Sequence, residues 1–104
     1  MYEEKFSNRI SQLRIKKGVS AREMSLSLGQ NSGYIHNIES GKALPSMTSF
    51  FYICEYFDIT PCEFFNFDSE NPKEVDMLYK NLTKLTASQL RNISEIVNDL
   101  IKNK

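Results

Sequence analysis

Apolar residues recur along the chain with a helical period, and the breaks between the runs carry capping chemistry. Phe6, Ile10 and Leu13 fall on one face of a first helix. Lys16-Lys17-Gly18 reads as its last turn, with cations on the negative end of the helix dipole. Ser20-Ala-Arg-Glu23 is a capping box: the hydroxyl takes one orphan amide and the carboxylate reaches back to another. Met24 and Leu28 face inward from the helix it opens, and Gly29 supplies the left-handed residue that stops it. Asn31 suits the N-cap of the next helix, Ile35 and Ile38 form its apolar face, and Gly41 ends it. Pro45-Ser46 opens a fourth helix, with Phe50, Ile53, Cys54 and Phe57 inward. Thr60-Pro-Cys-Glu63 is another capping box, with proline at the first helical position, where a missing amide costs nothing. Phe64, Phe65 and Phe67 close the unit.

Asp68-Ser-Glu-Asn71 is a polar break and reads as a linker. Beyond it, Asn71-Pro72-Lys-Glu74 repeats the pattern of cap, first-turn proline and third-position acid, followed by a stripe of Val75, Leu78, Tyr79 and Leu82. Thr86-Ala-Ser-Gln89 caps a last helix, whose stripe of Leu90, Ile93, Val97 and Leu100 is flanked by Ile96 and Ile101. No strand pattern and no internal repeat appears. The expectation is an all-α fold: five short helices in a domain over residues 1–67, then two helices in a C-terminal extension over 68–104.

Composition narrows the class. A chain of 104 residues with 40% apolar and 25% charged side chains holds one small core and reads as globular. It has no apolar run of the ~18 residues that a membrane span needs. Its first residues, MYEEKFSNR, carry acids where a signal peptide needs bases, so the expected location is the cytoplasm. Cys54 and Cys62 form no CxxC pair and have no histidine nearby, which argues against zinc; both read as small, partly buried apolar residues. No nucleophile–base pair, phosphate loop or metal spacing is present, so neither an enzyme nor a cofactor is expected.

Formal net charge is zero, but its distribution is uneven. Residues 5–42 hold seven bases (Lys5, Arg9, Arg14, Lys16, Lys17, Arg22, Lys42) against two acids (Glu23, Glu39). Residues 43–70 hold five acids (Glu55, Asp58, Glu63, Asp68, Glu70) and no base. A polar molecule of this kind can turn a positive face toward DNA. The other reading is that such bias reflects only solvated faces.

Residues 20–42 join two of the expected helices through a tight glycine turn. Ser25 is small where the helices must cross. Ile35 and Ile38 lock the second helix to the core, which leaves Ser32, Gly33, His36 and Asn37 facing outward together. Together with LRIKKGVS, GYIHNIESGKALP and ITPCEFF, this stretch resembles the Cro/CI-type (XRE-like) helix-turn-helix regulators, from about Arg9 to Phe65. The resemblance implies a five-helix domain that docks its third helix, about residues 32–40, in the major groove of double-stranded DNA, usually as a dimer. It places Ser32, Gly33, His36 and Asn37 at base-facing positions, and Asn31, Tyr34 and Lys42 near phosphates. It also makes Glu39 a structural acid, here expected to pair with a base such as Arg14. Three positions depart from the family pattern: Ala21 stands for a common glutamine, Gln30 for an apolar turn residue, and Gly33 weakens a helix and offers no side chain for readout.

Chemistry leaves some roles open. His36 can donate to guanine or simply face solvent, and Asn37 can bond adenine through two hydrogen bonds. Arg14, Arg22 and Lys42 suit phosphates, whereas Lys16 and Lys17 serve equally as helix-end cations. Tyr34 can rest its ring on the core and offer its hydroxyl to a phosphate. The many aromatics between Phe50 and Phe67 fit core packing better than a stacking platform, and an exposed subset would mark a partner surface. Leu90, Ile93, Val97 and Leu100 either pair across a two-fold axis or fold back. The first option is expected, with recognition helices about 34 Å apart on DNA. The resulting expectation is a DNA-binding transcriptional regulator, acting as a repressor and a homodimer. The rival is a protein-interaction module on the same scaffold, such as an antitoxin or a partner-controlled adaptor that engages its partner through 71–104.

Overall fold

A computed structural model describes residues 1–67 and 72–104. The described residues form seven helices and no strand: α1 (Tyr2–Lys17), α2 (Ala21–Ser27), α3 (Tyr34–Glu39), α4 (Met47–Phe57), α5 (Pro61–Phe65), α6 (Pro72–Leu82) and α7 (Ala87–Lys102). The fold is all-α, as the spacing of apolar residues requires. Backbone contacts divide the chain into two units, Met1–Asp68 and Ser69–Lys104. The expected polar linker and the Asn71 cap lie outside the described residues. No helix among those described is long and apolar enough to cross a membrane.

In the first unit α1 carries Glu3 and Glu4 in its first turn and Arg14, Lys16 and Lys17 in its last, matching the dipole at both ends. Both expected capping boxes are formed. Glu23 N–H donates to Ser20 Oγ at 3.0 Å, and Glu63 N–H donates to Thr60 Oγ1 at 3.1 Å. Each glutamate carboxylate accepts the cap's own N–H in return. Gly29 and Gly41 hold φ of +74° and +80°, the left-handed region that a side chain disfavours, and so stop α2 and follow α3 at once.

The core consists of Ile10, Met24, Ile35, Ile38, Phe50, Ile53, Cys54 and Phe64, drawn from all five helices. Phe6, Phe50 and Phe64 interlock, with ring centroids 5.0 to 5.8 Å apart. The aromatic run is therefore mainly core, but Phe51, Tyr52 and Phe65 are about half exposed. Phe65 thus does less to close the unit than its sequence position suggested, because α5 is one turn long and Phe64 takes the inward direction. Cys54 is buried, whereas Cys62 is exposed rather than partly buried, since it falls on the outer side of the same short helix. The N-terminus of α1, the α3–α4 loop and α5 leave an apolar groove of about 310 Å³ between them, walled by Tyr2, Leu44, Met47 and Phe65.

In the second unit a tight turn joins α6 to α7. Thr86 Oγ1 accepts the Gln89 N–H at 3.2 Å, and the Gln89 side chain takes the Thr86 N–H in return, completing the third capping box. An ion pair links Lys80 to Asp76 one turn apart at 3.1 Å. No residue of α7 is buried, and Leu90, Val97, Leu100, Ile96 and Ile101 are all exposed.

Candidate nucleic-acid interface

A helix of six residues cannot hold itself together in water, because too few internal hydrogen bonds offset the cost of nucleation. The rest of the first unit supplies what α3 lacks. Ile35 and Ile38 lie in the core, at 0% and 1% exposure. Ser25, fully buried on α2, donates to the Ala21 carbonyl at 2.7 Å and accepts the Ile35 N–H at 3.0 Å. One hydroxyl thus satisfies an orphan amide of α3's first turn and fixes the α2–α3 crossing. At the other end, Ser7 Oγ on α1 donates to the Ile38 carbonyl at 2.9 Å. The Lys42 and Ala43 N–H groups both donate to the Asn37 carbonyl.

Glu39 completes the clamp. Arg14 Nε donates to Glu39 Oε2 at 2.7 Å and Arg14 Nη2 to Oε1 at 3.0 Å, a two-pronged geometry. Ser11 Oγ adds a third bond at 2.6 Å. Burial alone pushes the Glu39 carboxyl up, but the bonds from Arg14 and Ser11 outweigh it and hold the group below the usual carboxylate range. Glu39 is therefore the structural acid the sequence suggested, paired with Arg14. The arrangement also turns the acid of α3 inward, away from the face that carries His36 and Asn37.

The start of the helix differs from the sequence reading. Asn31 is not the N-cap; Gly33 is, with φ −98° and ψ 2°. Asn31 Oδ1 accepts the Gly33 N–H at 3.1 Å, and the Asn31 carbonyl accepts the Tyr34 N–H at 3.2 Å. The asparagine folds a tight turn before the helix instead of capping it, a local bond that its short side chain makes readily. Ser32 and Gly33 accordingly stand in this turn rather than on α3. Gly33 escapes the penalty of a glycine inside a helix, because the N-cap tolerates glycine well.

Ser32, His36 and Asn37 are exposed and Gly33 is half-buried, so the turn and the first two turns of α3 present these four positions together. Among the described residues no hydrogen bond or ion pair engages the side chains of His36, Asn37, Arg22 or Lys42, and all four are exposed. The other phosphate candidates are placed differently. Asn31 is exposed, with its amide oxygen held in the turn. Arg14 is committed to Glu39 and to the Val19 carbonyl, which Nη1 reaches at 3.0 Å. Tyr34 is half-buried and its hydroxyl is turned away from solvent. Two of the bases counted earlier also serve the fold: Arg9 bonds the Glu63 and Phe64 carbonyls, and Lys17 lies 4.7 Å above the Tyr56 ring. The acids Glu55 and Glu63 ride on α4 and α5 and Asp58 caps the end of α4, whereas the helices packed most closely on α3 are α1 and α2.

Sequence reasoning missed Ser7, Ser11 and, in its bonding role, Ser25. A serine on a helix carries no long-range signal in sequence; only the small size of Ser25 at a crossing hinted at its place. Among the described residues no group of three or more His, Cys, Asp or Glu side chains is arranged to hold a metal ion.

A family model described as a helix-turn-helix domain matches residues 7–70. No curated protein and no solved structure matches the chain.

Proposed function

Given that the chain belongs to the Cro/CI-type helix-turn-helix family, whose matched residues 7–70 span most of it, we propose that it is a sequence-specific DNA-binding transcriptional regulator. The exposed turn and helix 32–38 enter the major groove. Asn37 and His36 read base edges, Ser32 contacts a neighbouring base, and Gly33 allows close approach to a thymine methyl. Arg22, Asn31 and Lys42 meet phosphates and set the register, whereas the charge of Arg14 is neutralised by Glu39. The observation that carries this reading is the face itself: side chains with donors and acceptors that bond nothing among the described residues, at a helix whose one acid is turned inward.

The protein acts as a homodimer through Leu90, Ile93, Val97 and Leu100. These residues form a continuous apolar stripe that is largely exposed on α7 and needs a partner surface. A two-fold dimer matches half-sites about 34 Å apart, and blocking polymerase at such a site makes the protein a repressor. The regulator works in the cytoplasm, without catalysis or cofactor.

The test is a bind-and-sequence selection on random duplex DNA near physiological salt. A two-fold motif with half-sites one helical turn apart is expected. Absence of any enriched motif would overturn sequence-specific regulation. One observation favours the rival reading, a protein-interaction module: the apolar groove beside the α3–α4 loop, with Met47 at 67% exposure. That reading gains if the protein fails to bind duplex DNA at low salt.

A further inference from the structure

Two oddities meet at the start of α3. Tyr34 Oη is buried, yet no group among the described residues bonds it. Gln30, in the turn before α3, is polar where Cro/CI-type chains pack an apolar residue. Both line one cleft with Leu28, Ser49 and Tyr52, and its volume is about 10 Å³. A space of that size admits a single water when two to four polar groups converge on it. The chemistry is suitable. Ser49 Oγ accepts from Ser46 Oγ at 3.0 Å and keeps its own proton to donate. The Gln30 amide offers both a donor and an acceptor, and the Tyr34 hydroxyl can play either part. Left alone, a buried hydroxyl would carry the full cost of its lost hydration.

We propose that this cleft binds one water molecule, which joins Tyr34 Oη to Ser49 Oγ and the Gln30 amide. The node ties the turn, the first residue of α3 and the first turn of α4 together at one point. Tyr34 and Gln30 are then positioning residues for the recognition helix. The polar side chain at Gln30 does by hydrogen bonding what an apolar residue does by packing. The effect on DNA rests on the regulator reading; the water site does not.

The experiment compares full-length wild type with Tyr34→Phe, Gln30→Leu and the double variant. If the hydroxyl is bridged, Tyr34→Phe lowers the thermal midpoint by several degrees. If the hydroxyl is an orphan, removing it raises the midpoint and the proposal falls. Bridging also makes the two substitutions non-additive, the double variant losing less than the sum, whereas strict additivity overturns it. Nuclear Overhauser transfer from water to the Tyr34 ring is expected in wild type and lost in Gln30→Leu. On DNA, Tyr34→Phe weakens binding several-fold with the salt slope unchanged. Weaker binding without any change in midpoint would mean that the hydroxyl serves DNA directly, which also overturns the node. If wild type binds no DNA, the regulator reading fails while the melts and the water transfer still decide the site.

Discussion

Glu39 shows how one side chain serves both the fold and the surface it supports. Its carboxylate takes three hydrogen bonds from Arg14 and Ser11. Because its folded pKa is held low, its stabilisation is full above the ordinary glutamate value of about 4.3 and is lost as pH falls through the folded value. Glu39→Gln should therefore cost about 2 kcal/mol at neutral pH, in line with charged hydrogen bonds. It should also flatten the acid limb of the stability profile, which urea titrations between neutral and acid pH would show. Ser25→Ala strands the Ile35 amide in the core, and the expected loss is about 1–3 kcal/mol in the same assay. Among the described residues Asn37 bonds no group through its side chain, so Asn37→Ala should leave stability nearly unchanged. It should weaken binding to the preferred site by about 1–3 kcal/mol and relax the selected motif at one position in each half-site.

Elements in this chain differ in where their stability originates. The caps of α2, α5 and α7 are local, and removing one by Thr86→Ala should cost about 1 kcal/mol, read as a lower melting temperature of the second unit. By contrast α3 is stabilised from outside, by Ser7, Ser11, Arg14 and Ser25 on α1 and α2. It should therefore melt with those helices, and hydrogen exchange of its amides should follow the first unit as a whole. The stripe on α7 has no buried member and stands apart from both cases. Replacing Val97 with glutamate should abolish self-association in sedimentation, while the circular dichroism of the first unit is retained.

For the molecule as a whole, a net charge of zero conceals a division of labour among its bases. Arg9, Arg14 and Lys17 are used by the fold, whereas Arg22 and Lys42 remain exposed for the proposed phosphate contacts. Binding should weaken with added salt, with a log–log slope of about −0.9 for each phosphate neutralised. Lys42→Ala should reduce that slope by about one and weaken all DNA sequences alike, as fluorescence anisotropy across a salt series would measure. If dimerisation through α7 brings two such faces together, Val97→Glu should also reduce affinity for the full site much more than for a half-site.

The chain by itself determined its helices, because caps and apolar spacing are local properties. Ser20, Thr60 and Thr86 carry their partners three residues away, and Gly29 and Gly41 need only their own backbone freedom. The pairing of Glu39 with a base such as Arg14 was also legible, through the resemblance of the surrounding motif. Where α3 begins was not, since Asn31 had two local bonds open to it; its side chain accepts the Gly33 N–H, and the Ile35 N–H is taken by Ser25 from another helix. Nor could sequence tell which bases stay exposed: Arg9 meets α5 across 54 residues of chain. Only the tertiary structure brings such distant carbonyls, hydroxyls and carboxylates within bonding distance. Among the described residues it leaves the side chains of Asn37, His36, Arg22 and Lys42 without a hydrogen-bond or ion-pair partner.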